Sequence, residues 1–137
     1  AMAASMDNLN WSGMSSWLKK QAGEEIEHAM KIYGCVYERD GEVKLDQIDK
    51  PDKEFSTPIE AFKAAFEHEK FVTDSIHNIV DLARKENDKA TENFLQWFVS
   101  EQVEEEEQTL DIVNKLKAIG DNKGALFMLD AQLGKRE

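Results

Sequence analysis

The chain has 137 residues, 33% of them charged and 41% hydrophobic, with a net charge of −11. That length suits one domain, so residues 1–137 are read as a single domain. The acidic balance argues against a nucleic-acid partner or an anionic membrane, both of which require basic surface.

The single cysteine, Cys35, permits no internal disulfide and no CxxC zinc or redox site, and it reads as a small core residue. The opening Ala1-Met2-Ala3-Ala4-Ser5-Met6 is too short for a signal peptide and lacks a basic start. No stretch approaches the roughly 20 apolar residues that span a bilayer. A soluble, cytoplasmic protein is expected.

In chain order, residues from Ala1 to about Asn8 offer one short helix. A first long helix begins near Asn10 to Ser12 and stops at Asp40-Gly41. Along it, Met14, Leu18, Gln21, Glu25, His28, Ile32 and Cys35 follow a 4-3-4-3 spacing. Residues 42–56 lack a helical period and contain Pro51; Thr57-Pro58-Ile59-Glu60 then forms a capping box with proline at the first helical position. The second long helix runs to about Glu86, its stripe being Ile59, Phe62, Phe66, Glu69, Thr73, Ile76, Val80 and Ala83. After a turn at Asn87-Asp88, the third continues to Gly120 with Leu95, Phe98, Gln102, Glu105, Thr109, Ile112, Leu116 and Ile119. A short last helix covers roughly Ala125 to Leu133. The 4-3 rhythm is the core-facing seam of a helix bundle.

The loops set an expected topology. The two-residue turn at Asn87-Asp88 makes the second and third long helices antiparallel neighbours. The connection from Gly41 to Thr57 can span ~55 Å at the reach of extended chain, whereas a helix of about 28 residues is only ~42 Å long. This crossover can therefore return the chain along the whole bundle. The fold class expected is all-α: a four-helix bundle with one long crossover and a short fifth C-terminal helix. Eight residues supply only ~12 Å of helix, so the first helix is expected to be truncated, the chain beginning partway into it.

Each seam is broken near its middle by acid, amide or imidazole. An unpaired buried carboxylate is costly, and the usual escapes are protonation, an ionic partner or a metal. No Lys or Arg stands on these stripes at that level. Glu25-Ile26-Glu27-His28 is a Glu-x-x-His element whose two ligands share one helical face. By itself that tetrapeptide is common on charged helices, and a lone core histidine is more often hydrogen-bonded than a ligand. Its weight comes from level: Glu25, His28, Glu69, Gln102 and Glu105 all fall near the middle of their helices. Carboxylates with one imidazole suit iron, manganese or zinc better than copper. In the acidic run of the third helix, Glu106 and Glu107 read as solvated face, while Glu101, Glu104 and Glu105, with Glu24 on the first helix, make an acidic annex. His68 and His77 fall off the stripe and are assigned to the surface, and Trp11, Trp17, Trp97 and Phe98 to packing.

The chain resembles the prokaryotic non-haem ferritins. The resemblance is carried by Gln-Ala-Gly-Glu-Glu-Ile-Glu-His-Ala-Met (21–30), Phe-Glu-His-Glu-Lys (66–70) and Phe-Leu-Gln-Trp-Phe-Val-Ser-Glu-Gln-Val-Glu-Glu-Glu (94–106). It implies a ferritin-like bundle that assembles as a homo-oligomeric cage of 24 subunits, oxidises Fe²⁺ with dioxygen or peroxide and stores Fe³⁺ as a mineral. It further implies that Glu25 bridges two irons, that His28 binds the first, and that Glu69 and Glu105 bind the second with Gln102 beside the pair. Glu24, Glu101, Glu104 and Glu105 resemble the family's third iron site, and the short last helix the one that lines its fourfold axes. One departure stands out: the family's first helix supplies a further iron-binding glutamate and a tyrosine upstream of the first residue here.

Other functions compare less well. A rubrerythrin-like di-iron peroxidase has a second Glu-x-x-His, where the third helix here offers Gln102-Val103-Glu104-Glu105, and often a CxxC iron domain. A haem-carrying bacterioferritin places its haem methionine where Ile26 stands, so no haem is expected. A catalytically impaired cage subunit is the third reading.

Overall fold

The computed structural model describes residues 1–51 and 53–136. Among these residues five α-helices follow one another: α1 Met2–Asn8, α2 Ser12–Glu38, α3 Pro58–Lys85, α4 Lys89–Ile119 and α5 Lys123–Leu133. No strand occurs among the described residues. The chain forms two compact units: α1, α2, the 41–57 connection and α5 make one, and α3 with α4 the other.

In the second unit α3 packs along α4, and the seams meet as their spacing predicts. Ile76, Val80, Leu95 and Phe98 form a buried apolar cluster, with Val72, Phe94 and Val99 against it. Trp97 meets Phe98 edge to face, and Phe94 tilts against the same ring. The turn between the helices is built from its own residues. Asn87 sits at φ 56°, the left-handed region that Asn tolerates better than most residues. That conformation lets Asn87 N–H reach Arg84 O at 3.0 Å and Asp88 N–H reach Ala83 O at 2.8 Å, closing the orphan carbonyls of α3. Asp88 then caps α4, its carboxylate accepting from the Thr91 amide at 3.1 Å and hydroxyl at 2.6 Å.

The first unit repeats this terminus twice. Asn10 at φ 62° closes α1 and Asp40 at φ 60° closes α2, each followed by a bond from the next amide to the carbonyl five residues back. The start of α2 is capped differently. Trp11 precedes it and offers no side-chain acceptor. Instead Asp130 of α5 reaches in, its Oδ1 accepting from the Met14 amide at 2.8 Å. Gly13 makes this approach possible: a Cβ there would lie 1.8 Å from the Asp130 carbonyl oxygen. Leu129 and Leu133 are buried on α5, and Phe127 stacks against Trp11. Among the described residues of the 41–57 connection there is no regular structure, and Leu45 and Ile48 are exposed. Near its end the Phe55 amide donates to Ser5 Oγ of α1 at 3.2 Å.

The three stripes agree with the burial pattern with one exception. Ile32 is exposed rather than inward-facing, and Cys35 beyond it is only half-buried. His68 and His77 are exposed, as their positions off the stripe predict.

Candidate metal centre

On α2, Glu25 and His28 stand one turn apart, with His28 Nδ1 3.6 Å from Glu25 Oε2. His28 is buried, and Glu25 half-buried. One turn earlier Gln21, also buried, donates from Nε2 to Glu25 Oε1 at 3.3 Å. Glu24 does not face the same partners. Its Oε2 accepts from Arg136 Nη2 at 2.5 Å, and Arg136 Nη1 donates to Gln21 Oε1 at 2.9 Å.

In the unit of α3 and α4, Glu69, Gln102 and Glu105 are buried, with relative exposures of 5%, 2% and 3%. Gln102 Nε2 donates to the Glu69 backbone carbonyl at 3.2 Å and to Glu69 Oε2 at 3.3 Å. It also lies 3.3 Å from Thr73 Oγ1, and that hydroxyl donates to Glu106 Oε1 at 2.6 Å. Glu106 is therefore half-buried and engaged rather than solvated as its place in the acidic run predicts, while Glu107 is exposed as expected. Glu101 is half-buried and Glu104 exposed. One turn below the acids, Thr109 turns its hydroxyl onto the Glu105 carbonyl at 2.7 Å.

Among the described residues no Lys or Arg is buried, whereas two carboxylates and one imidazole are. Buried carboxylate is stabilised by hydrogen-bond donors and cations. Amides and a hydroxyl donate hydrogen bonds to these groups; Glu25 with His28 in the first unit, and Glu69 with Glu105 in the second, each offer lone pairs of the kind that suit a hard or borderline dication.

Residues 1–119 match the model of the ferritin-like domain. The chain is 41% identical over 136 residues to the bacterial non-heme ferritin of Bacteroides fragilis, covering 99% of this chain and 84% of that protein. The chain belongs to the ferritin family. It is also 37% identical to the bacterial non-heme ferritin of Staphylococcus aureus, over 99% of this chain and 82% of the relative. Among solved structures, an open pore ferritin from the hyperthermophilic archaeon Archaeoglobus fulgidus matches with a TM-score of 0.98 at 48% identity, over 99% of this chain and 84% of that one. The expected all-α ferritin fold, with its short last helix, is thus the fold of this chain.

Four residues that bond to the predicted ones were not singled out from the sequence: Gln21, Thr73, Glu106 and Arg136. Gln21 and Thr73 carried a signal, being polar at seam positions beside Glu25 and Glu69. Glu106 and Arg136 carried none, because each acquires its partner only when a second helix docks.

Proposed function

We propose that this ferritin-family chain is a subunit of an iron-storage cage that binds Fe²⁺ as substrate, oxidises it to Fe³⁺ and passes it inward to a ferric mineral. The observation that carries the reading is that Glu69 and Glu105 in one unit, and His28 one turn from Glu25 in the other, are buried while no Lys or Arg among the described residues is. Glu25 bridges two Fe²⁺ ions, His28 binds the first, Glu69 and Glu105 the second, and Gln102 lies beside the pair. Holding two ions in one carboxylate-lined site lets dioxygen or peroxide draw electrons from both, and the acidic surface raises the local Fe²⁺ concentration. Glu24, Glu101, Glu104 and Glu105 form a third iron-binding position. The assembly is a cytoplasmic homo-oligomer of 24 subunits.

Within this site each side chain has a chemical task. Carboxylate oxygens are hard donors whose negative charge favours Fe³⁺ over Fe²⁺, which lowers the driving force needed for oxidation. The His28 imidazole offers a ring nitrogen, with Glu25 Oε2 3.6 Å from its Nδ1. Gln21 and Gln102 hold Glu25 and Glu69 through amide donors, so the carboxylates stay aimed when a cation leaves.

Stopped-flow oxidation of Fe²⁺ under air tests the reading. Glu25→Ala and Glu69→Ala are each expected to lose rapid oxidation, since each removes a ligand; full activity in both variants refutes it. A wild-type protein that assembles and mineralises without rapid oxidation selects the impaired cage subunit instead. The rubrerythrin-like reading gains no support, because α4 presents Gln102 where a second Glu-x-x-His requires glutamate, and Glu105 where it requires histidine.

A further inference from the structure

Arg136, just beyond α5, lies against one face of α2. Its guanidinium stacks over the Trp17 ring, 4.4 Å from the centroid, and donates to Gln21 and Glu24 at 2.9 and 2.5 Å. Trp17, Gln21 and Glu24 are spaced 4-3, so they rise as a column along the helix. The arginine side chain is 18% exposed, which is unusual seclusion for a group so near a helix end.

The chemistry of the guanidinium sets the chemistry beside it. Arginine offers only donors, so Gln21 turns its Oε1 toward Arg136 and its NH₂ toward Glu25. One guanidinium therefore occupies the Glu24 carboxylate and orients the amide that Glu25 meets. Its own position is fixed by the docking of α5. Asp130 caps α2 at the Met14 amide, and Gly13 and Gly134 bring the two backbones together, a Cβ on Gly134 lying 3.1 Å from the Gly13 Cα.

We propose that Arg136 is a positioning residue that couples the seating of α5 to cation binding at Glu24 and Glu25. The inference rests on the reading of those two glutamates as iron-binding groups. In the metal-free state Arg136 serves as the resident cation of Glu24. A dication bound by the same carboxylate repels the guanidinium and takes its acceptor, so loading releases Arg136. Residues 134–136 then lose that side-chain tether, while the amide bonds from Gly134 to Asp130, Lys135 to Gln132 and Arg136 to Leu133 remain. Linkage makes the effect reciprocal: whatever loosens α5 favours the cation, and the cation loosens α5.

The test uses the assembled protein stripped of metal and titrated with Zn²⁺, a redox-inert probe, with calorimetry for affinity and hydrogen exchange for residues 129–136. In the wild type, Zn²⁺ is expected to speed exchange at 134–136. In Arg136→Gln that segment exchanges fast with or without Zn²⁺, and Zn²⁺ binds about three- to tenfold tighter, the range for loss of a partly exposed charged competitor. Glu24→Gln is expected to abolish the response of the segment to Zn²⁺, and Arg136→Lys to restore part of the competition. Exchange in the wild type that ignores Zn²⁺, or Zn²⁺ affinity unchanged in Arg136→Gln, overturns the coupling. A wild-type isotherm identical to that of Glu25→Ala overturns the underlying site instead, and the two failures are thereby told apart.

Discussion

Thr73 shows how much a single proton can decide. Its hydroxyl has one hydrogen, and the 2.6 Å bond to Glu106 Oε1 takes it. Toward Gln102 the oxygen can then only accept, which holds the Gln102 NH₂ on the Glu69 side. Thr73→Val removes the hydroxyl at nearly constant volume. It is expected to weaken cation binding at the proposed Glu69 site by about 10- to 100-fold, the usual cost of losing a group that orients a ligand, with Thr73→Ser close to wild type. Calorimetric Zn²⁺ titration checks this, and equal affinity in the valine variant removes Thr73 from the role. The half-buried position of Thr73 is legible from its place on the α3 stripe. Its partner is not, because Glu106 reads as surface until α4 is set against α3.

Among the elements, the helix termini carry most of the local specification. Asp88 caps α4 through two bonds to Thr91. Asp88→Ala is expected to cost about 1 kcal/mol, read as a lower thermal midpoint, while Asp88→Asn keeps most of it. The α2 start depends on a distant acceptor, so Gly13→Ala is expected to unseat α5 by driving a methyl into the Asp130 carbonyl. Faster hydrogen exchange across 123–136 is the readout, and unchanged protection contradicts the contact. Between α1 and α2, Lys19 Nζ bonds Asp7 Oδ2 at 2.7 Å and holds the Asp7 carboxyl below its ordinary value of 3.8. The folded form thus prefers the ionised carboxylate. Its contribution is present above that ordinary value and is lost as pH falls through the lower folded one. An NMR titration of Asp7 is expected to show the depressed midpoint, and Lys19→Ala to move it upward.

At the scale of the whole molecule, apolar surface is left over. Ile26, Met30, Tyr33 and Tyr37 follow a 4-3-4 spacing on an exposed face of α2, with Ile26 65% and Met30 56% exposed. The tyrosine rings meet at 5.1 Å. A contiguous apolar face of this kind favours association, and a second copy of this chain is the occupant that a cage supplies. Native mass spectrometry is expected to show an assembly many times the 15.7 kDa of one chain, and Met30→Glu to shift it toward smaller species. Wild-type protein that stays monomeric contradicts the cage.

The sequence by itself determined the helices, their seams and the level at which acids interrupt them, since helical period is a local property written every three or four residues. Met14 and Leu18, Phe62 and Ile76, Leu95 and Ile112 are all buried where that period puts them. Only the tertiary structure decided which polar groups answer one another. Asp130 meets Met14 across 116 residues of chain, and Arg136 meets Glu24 across 112. Such pairs depend on the angle and offset at which α5 docks on α2, which two close-packed glycines allow and no periodicity encodes. Ile32 marks the same boundary from the other side: it keeps the seam rhythm, yet it stays exposed because burial needs a neighbour as well as a face.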